Sequence, residues 1–194
     1  MSTLKVDTIL KRTGTGTITV GQSGDTVALP SATLTTPLPA ASGGTGSTTA
    51  PVNTPAFYAF LNANQSAGTG ADTTITLNSE ALDTDSAFDT STYRFTPQTA
   101  GKYFLYAQAR IDSGTDFNML TVVIRKNGSE FARGFNYNDY TNTVNVSTII
   151  DLNGSSDYID IFAMQNSGGS LNFAGASTQA NSKTYLMGYK LIGA

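Results

Sequence analysis

TPQTAGKYFLYAQARI, residues 96–111, is the stretch that decides the fold class of this chain. After a turn between Pro97 and Gly101, the residues alternate with the period of a β-strand. One face carries an ordinary apolar core stripe, which consists of Tyr103, Leu105, Ala107, Ala109 and Ile111. The opposite face carries two large aromatic residues, Phe104 and Tyr106. A strand that is apolar on both faces needs a cover on each side, and the sequence contains no convincing helix to supply one.

Further strand-like runs follow at short spacing and are joined by turn residues. They are residues 56–62, 73–77, 91–96, 118–126, 129–134, 143–152, 157–165, 170–175 and 184–192. Two of the connections contain Asn-Gly, the dipeptide that tight hairpin turns favour because both central residues need a positive φ. About ten short strands without a helix predict an all-β antiparallel sandwich or jelly roll.

Two of these runs, residues 157–165 and 184–192, are also apolar on both faces. The large side chains opposite the core stripes are Tyr158, Phe162 and Met164 in the first run and Tyr185, Met187 and Tyr189 in the second. By contrast, residues 143–152 place mostly polar side chains on one face, as expected for a strand with one solvated side.

The doubly apolar strands predict an interface between copies of the chain. A sandwich hides only one face of each sheet, and a large aromatic side chain left in water forfeits ~1.5–3 kcal/mol of burial free energy. Association around a closed symmetry axis removes such a patch from water. The predicted interface residues are Phe104, Tyr106, Tyr158, Phe162, Met164, Tyr185, Met187 and Tyr189. The alternative is that long loops cover one or two of these aromatic residues.

The composition excludes several classes of function. The formal net charge is −3 with 13% charged residues, which argues against a nucleic-acid partner. The absence of His and Cys removes Ser–His–Asp and Cys–His catalysis, disulfides and the usual zinc sites. No apolar run approaches the ~18 residues that span a bilayer, and the N-terminus lacks the apolar region of a signal peptide. We therefore expect no membrane insertion and no cofactor.

We also expect no enzymatic activity. A glycosidase needs two carboxyl groups on either side of a cleft, one of them with a raised pKa. The only glutamates are Glu80 and Glu130, and neither lies in a recognisable catalytic setting.

Residues 1–54 are predicted to form a leader and linker, separate from a head domain at 55–194. All ten Phe and nine Tyr residues lie at or beyond Phe57, so the leader lacks the aromatic side chains with which a core is built. Its short strand-like runs contain Leu4, Val6, Ile9, Ile18 and Val20. Either other chains complete these runs, which then anchor the protein to an assembly, or the leader is disordered.

The block 88–111 resembles the signature of the C1q-like domain, which belongs to the C1q and tumour-necrosis-factor jelly-roll superfamily. The matching positions are Phe88-Asp89, Phe95-Thr96-Pro97 and Gly101-x-Tyr103, with Leu105 where the family has a second aromatic residue. Residues 122–130 and 184–192 are similar to two later family strands, and residues 151–161 match a family hairpin imperfectly. The resemblance implies a homotrimer of ten-stranded jelly rolls. It also implies that 56–62, 101–111, 157–165 and 184–192 form the inner sheet beside the three-fold axis.

GGTGSTTA, residues 43–50, resembles a Gly-Gly-Thr-Gly-Ala-Thr-Thr element common in tail-fibre proteins of bacteriophages, with Ser47 in the Ala position. Residues 2–9 and 15–27 resemble N-terminal segments of phage fibre and virion proteins. These resemblances imply a virion structural protein on the capsid or tail surface, attached to other virion proteins through residues 1–50. The head would then bind a host-surface glycan or protein, or decorate the particle. The alternatives are a cement or adaptor protein that binds only virion neighbours, and a non-viral bacterial C1q-like binding module.

Residues 132–142 contain the best candidate for a partner-binding loop. Phe135, Tyr137 and Tyr140 lie there among amide side chains, and such residues can stack on sugars or peptides and form hydrogen bonds with them. The alternative is that this segment only connects strands.

Residues 79–89 hold the candidates for a calcium site. Asp83, Asp85 and Asp89 are close in sequence, and carboxylate oxygens are preferred Ca²⁺ ligands. The EF-hand pattern is absent, and a solvated acidic loop is the favoured interpretation.

Overall fold

The computed structural model describes residues 53–112, 117–137 and 142–192. Across these ranges the chain forms thirteen β-strands and a single 3-10 helix, Gln179–Asn181. The strands are β1 (Ala56–Phe60), β2 (Gln65–Ala67), β3 (Thr73–Thr74), β4 (Ser79–Asp83), β5 (Phe88–Asp89), β6 (Arg94–Phe95), β7 (Gly101–Arg110), β8 (Met119–Lys126), β9 (Ser129–Tyr137), β10 (Thr143–Leu152), β11 (Ile159–Asn166), β12 (Leu171–Phe173) and β13 (Tyr185–Lys190). The predicted all-β class is confirmed.

Two antiparallel sheets pack face to face. The first sheet has the strand order β10-β7-β13-β1-β4. The second sheet has the order β5-β6-β11-β8-β9, and β3 pairs with β11 beside that path. Strands β2 and β12 form a separate two-stranded sheet.

The apolar core fills the space between the two sheets. The core stripe predicted for β7 is confirmed, because Tyr103, Leu105, Ala107 and Ala109 are all fully buried. An aromatic stack crosses the sandwich, with 4.0 Å between the ring centroids of Phe57 and Phe95. The ring of Phe95 meets the edge of Tyr103 at 5.7 Å.

The predicted Asn-Gly hairpin turn is also present. Asn127 and Gly128 have φ angles of 53° and 79° and connect β8 to β9. The Asn127 side chain donates a hydrogen bond to Asp157 Oδ1 at 2.8 Å and accepts one from the Tyr158 backbone at 2.9 Å. The turn is thereby tied to the connection that precedes β11.

The predicted sheet position of residues 157–165 is wrong. Strand β11 lies in the second sheet between β6 and β8, whereas β10 occupies the place beside β7. The β7–β10 pairing is continuous from Thr143 opposite Arg110 to Leu152 opposite Gly101. Alternation along one strand reveals two apolar faces, but it carries no information about which distant strand is the neighbour.

Several predictions fall outside the described residues. The anchoring candidates Leu4, Val6, Ile9, Ile18 and Val20 lie there, as does Tyr140. Within the described residues, no helix has the length and apolarity needed to cross a membrane.

Candidate functional site

The outward side of the first sheet carries a continuous set of large side chains, which we call the aromatic face. It is formed by Tyr58, Phe60, Phe104, Tyr106, Tyr185, Met187 and Tyr189. These residues alternate along β1, β7 and β13 with the fully buried core residues, so they point away from the core. Five of the eight predicted interface residues therefore share one surface.

The strand register arranges the aromatic face in rows across the sheet. The three rows are Ser147–Tyr106–Met187–Tyr58–Leu82, Ile149–Phe104–Tyr189–Ala56 and Asn145–Gln108–Tyr185–Phe60–Ser79. Directly opposed residues on neighbouring strands have Cβ atoms only ~5 Å apart, so side chains within a row touch. The apolar band is three strands wide. The row through Tyr185 has polar residues at both ends, the row through Tyr106 has Ser147 at its β10 end, and the row through Phe104 has apolar residues at both ends.

Ring contacts connect the members of the aromatic face. The Tyr185 ring stacks on Tyr58 at 5.0 Å and on Tyr106 at 5.8 Å, measured between centroids. Phe104 and Tyr189 are 5.5 Å apart in a tilted arrangement. Such pairs add stabilisation beyond their buried area, and they order the side chains of the face within one protomer.

The tyrosine hydroxyl groups are paired within the chain. The Tyr58 hydroxyl lies 2.5 Å from the Ser182 hydroxyl, and the Tyr106 and Tyr185 hydroxyls donate to Gln108 Oε1 at 3.4 and 3.5 Å. Burial is the main cause that raises the pKa of Tyr185 and the pKa of Tyr58 above the ordinary tyrosine value. The two phenols therefore stay neutral at neutral pH, which suits a surface that becomes desolvated.

Two half-exposed apolar residues extend the aromatic face to opposite edges of the sheet. Ile149 on β10 lies beside Phe104, and Leu82 on β4 lies beside Tyr58. Our sequence analysis missed both. The alternation of β10 contains the signal for Ile149, because this residue interrupts the polar row that Asn145 and Ser147 begin.

The other three predicted interface residues lie on the outward side of the second sheet. Tyr158 directly precedes β11, and Phe162 and Met164 belong to it. The eight residues therefore do not form a single surface. The physical reason is that β11 joins β8 and β6 in the second sheet, where its outward side chains cannot reach the aromatic face.

Arginine side chains cover the aromatic residues of the second sheet. The Arg94 guanidinium lies 4.0 Å from the Tyr158 ring centroid, and those of Arg125 and Arg133 lie 5.1 and 5.6 Å from the Phe162 centroid. The buried carboxylate of Asp160 accepts two hydrogen bonds from Arg125, at 2.7 and 2.8 Å, and thereby fixes that cation.

The predicted partner-binding residues Phe135 and Tyr137 lie on a strand instead of a loop. Both belong to β9, the edge strand of the second sheet, and they are 52% and 63% exposed. Their ring centroids are 5.7 Å apart, with planes within 6° of parallel. Spacing of two residues along a strand places both side chains on one face, which explains the pairing.

The structure does not gather the calcium candidates into a ligand cluster. Within the described residues, no group of three or more acidic side chains is placed to hold a metal ion. Asp83 accepts backbone hydrogen bonds from Ala87 and Phe88 at 3.1 and 2.8 Å. Asp89 accepts hydrogen bonds from Ser91, and Asp85 accepts one from its neighbour Thr84.

No protein-family model and no curated protein sequence matches the chain. Among solved structures, the chain is similar to murine APRIL at pH 8.0, with 15% identity, coverage of 70% of this chain and 98% of that chain, and a TM-score of 0.52. It is also similar to the Eiger TNF of S. frugiperda, with 13% identity, coverage of 72% and 95%, and a TM-score of 0.51. The globular domain of zebrafish complement 1qA aligns with 19% identity, coverage of 71% and 96%, and a TM-score of 0.48. The likeness to murine APRIL and to Eiger TNF concerns the fold alone, and it supports a TNF-like jelly roll.

Proposed function

We propose that this chain is a homotrimeric structural protein of a bacteriophage virion, with a non-enzymatic jelly-roll head that binds a host surface. The observation that carries the proposal is the aromatic face. It is an uncharged and internally ordered patch on a sheet that has no covering layer among the described residues.

The arrangement of this face favours a three-fold assembly. In a two-fold dimer the same patch meets itself, whereas a cyclic trimer brings one edge of each protomer against a different edge of the next. The aromatic face ends in half-exposed Ile149 at one edge and half-exposed Leu82 at the other. Two different apolar edges on one sheet suit a heterologous contact that closes into a ring.

The proposed virion role is supported by the leader and its linker. Residues 43–50 carry the phage tail-fibre-like GGTGSTTA element, and residues 1–50 contain the strand-like runs that would attach the protein to the capsid or tail. The composition supports a non-enzymatic role because the chain has neither His nor Cys.

Light scattering of the purified full-length protein tests the assembly. The expected mass is three times the 20.3 kDa of one chain. A stable protomer at micromolar concentration would contradict the proposal.

Electron microscopy of labelled particles tests the location. Host attachment is supported if the head projects freely from the particle and the purified protein blocks adsorption of particles to cells. A head buried among capsid or tail subunits indicates a cement or adaptor protein instead.

Deletion of residues 1–50 is expected to leave a trimer that no longer joins particles, and incorporation of the truncated form would exclude the anchoring role.

A further inference from the structure

The two Asn-Gly dipeptides of the chain are tied to a single carboxylate. Asn127-Gly128 joins β8 to β9, and Asn153-Gly154 lies in the connection from β10 to β11. Oδ1 of Asp157 accepts a hydrogen bond from Asn127 Nδ2 at 2.8 Å, and Oδ2 accepts one from the Asn153 backbone at 2.9 Å. We call Asp157, Asn127 and Asn153 with these two hydrogen bonds the Asp157 clamp.

Asn-Gly dipeptides carry a chemical liability, because glycine has no side chain to obstruct attack by its own backbone nitrogen. That nitrogen gives up its proton and bonds to the asparagine Cγ, while the Cγ–Nδ2 bond breaks and ammonia leaves with the proton. Water then opens the succinimide ring to aspartate or isoaspartate. The ring closes only when the glycine nitrogen and the asparagine Cβ lie on the same side of the intervening Cα–C bond.

The native turn at Asn127 excludes this ring closure. Asn127 and Gly128 have φ angles of 53° and 79°, and in a type I′ turn the peptide plane that follows the first central residue points the next nitrogen away from Cβ. Attack on Cγ therefore requires the turn to open. The pairing of Lys126 with Ser129 across the hairpin opposes that opening.

Asn127 is exposed to water, and hydrogen bonds to the β10–β11 connection keep its turn closed. Its Oδ1 accepts the Tyr158 backbone N–H at 2.9 Å, and its own N–H donates to the Tyr158 carbonyl at 3.0 Å. The bond to Asp157 is the one with a charged partner, so it is the strongest of the three. Hydrogen bonds from Asn127 and Lys126 lower the pKa of Asp157, so this carboxylate stays ionised at neutral pH.

Asn153 is held mainly by backbone groups. Its Oδ1 accepts three backbone hydrogen bonds, each at 3.0 Å, from Ser155, Ser156 and Asp157. A Cβ at Gly154 would lie 2.2 Å from the Ala100 backbone nitrogen, so this turn packs tightly against residues 99–100. Loss of the Asp157 side chain removes just one of the hydrogen bonds of Asn153. Asn153 thus provides an internal reference for Asn127.

Conversion of Asn127 would break the link between the β8–β9 hairpin and β11. Aspartate at this position presents an acceptor to Asp157 where Nδ2 now donates at 2.8 Å, and two carboxylates at that distance repel each other. Isoaspartate adds a backbone methylene group to a two-residue turn, which then no longer matches the pairing of Lys126 with Ser129. Either product loosens the hairpin.

We propose that Asn127 is a latent deamidation site of the head and that the Asp157 clamp keeps it unreactive. The inference concerns the chemistry of one protomer. It is therefore independent of the proposed trimer and of the proposed virion role, and its test leaves both untouched.

The test is a time course of the purified full-length protein in mildly alkaline buffer, followed by pepsin digestion in acid, where deamidation stops, and peptide mapping by mass spectrometry. The reference is the free peptide VIRKNGSEF, residues 123–131. The wild-type protein is expected to convert Asn127 at least about tenfold more slowly than the peptide, the effect of one hydrogen bond to a charged group. Equal rates would overturn the proposal without any variant.

Removal of the carboxylate tests the clamp itself. Asp157→Ala is expected to raise the conversion rate of Asn127 about tenfold, while Asn153 keeps its wild-type rate. Asp157→Asn retains an acceptor and is expected to give an intermediate rate. Asp151→Ala is the matched control, because the Asp151 carboxylate pairs with Lys102 instead, and it is expected to change neither rate.

Two outcomes would refute the role of Asp157. One is a wild-type rate at Asn127 in Asp157→Ala; the other is an equal acceleration at Asn127 and Asn153 in a variant that circular dichroism shows to be folded. If Asp157→Ala does not fold, Asp157→Asn decides, and a wild-type rate there refutes the clamp.

Asn127→Asp tests the structural consequence, because it imitates one product of the reaction. It is expected to lower the thermal midpoint by about 5 °C through the lost hydrogen bond and the added repulsion. Asn153→Asp keeps an oxygen for the three backbone N–H groups and is expected to change the midpoint less. A wild-type midpoint for Asn127→Asp would show that the modification leaves the hairpin intact.

Discussion

The outward faces of the two sheets both carry large aromatic residues, yet they are covered differently. On the second sheet, arginines lie over Tyr158 and Phe162, and every cation–π contact found in the described residues is on this side. On the first sheet, the rings of the aromatic face stack on or tilt against one another, and no cation lies over them among the described residues. The second sheet is therefore largely complete within one chain, whereas the first is suited to a partner.

The difference shows that the outward side chains of a doubly apolar strand can be covered in two physically distinct ways. A ring can be covered by the stem and guanidinium of an arginine whose charge is fixed by a buried carboxylate, as for Phe162. A ring without such a neighbour needs other apolar surface, as Phe104 does. The strand pattern alone is the same in both cases.

A matched pair of methionine substitutions tests whether the two outward faces differ, and we expect it to have the strongest effect of the changes considered. Met187 lies in the middle row of the aromatic face, and Met164 lies outward on β11, both half-buried. Met187→Lys is expected to abolish the proposed trimer, because an ammonium group buried without a partner costs about 3 kcal/mol or more per copy. Met164→Lys is expected to leave the oligomeric state unchanged. Light scattering at equal concentrations compares them, and equal behaviour would refute the distinction between the faces.

Removal of the carboxylate beneath the arginines has the next largest expected effect. Asp160→Ala leaves Arg125 without its salt bridge and is expected to lower the free energy of unfolding by about 3 kcal/mol. Asp151→Ala breaks the exposed pair with Lys102 and is expected to cost less than ~1 kcal/mol. Urea denaturation at a fixed protein concentration measures both. Similar losses would contradict the role given to Asp160.

Alkaline pH is expected to act on the aromatic face. Burial raises the pKa of Tyr185 above the ordinary value of 10.0, so its neutral form contributes stability below pH 10 that is lost as the pH rises through the raised pKa. We expect the proposed trimer to dissociate at alkaline pH and Tyr185→Phe to move that transition upward. Phenolate absorbance and light scattering, recorded together, follow ionisation and mass. Dissociation of the variant at the wild-type pH would exclude Tyr185 as the responsible group.

Acid pH is expected to have the smallest effect, and it acts on the second sheet. Hydrogen bonds from Ser91 and Thr92 lower the pKa of Asp89 from 3.8 to about 2. Because the folded pKa is depressed, this contribution is present above pH 3.8 and is lost as the pH falls towards 2. Asp89→Asn is expected to flatten the decline of the thermal midpoint in this window without altering the midpoint's response to alkali. If the thermal midpoint of Asp89→Asn declines in acid as steeply as that of the wild-type protein, Asp89 does not contribute to acid stability.

Part of the candidate site could be predicted from sequence because it depends on local alternation. The aromatic face members on β7 and β13 follow from the period-two pattern, as does the core stripe that includes Tyr103. Phe60 and Leu82 could not be found this way, because the short strands β1 and β4 carry too few residues to establish a pattern. The cover over Phe162 was also inaccessible, since Arg125 and Asp160 are 35 residues apart in the chain.

The amino-acid sequence alone indicates the strand class, the core stripes, the Asn127-Gly128 turn and the presence of outward aromatic rings. All of these depend on residues within a few positions of one another. Other features emerge only in the folded chain. Strand β11 lies in the second sheet, β10 flanks β7, and arginines cover Phe162 while no cation covers Phe104 among the described residues. Strand neighbours and side-chain covers join distant parts of the chain, and their choice depends on the packing of the whole sandwich.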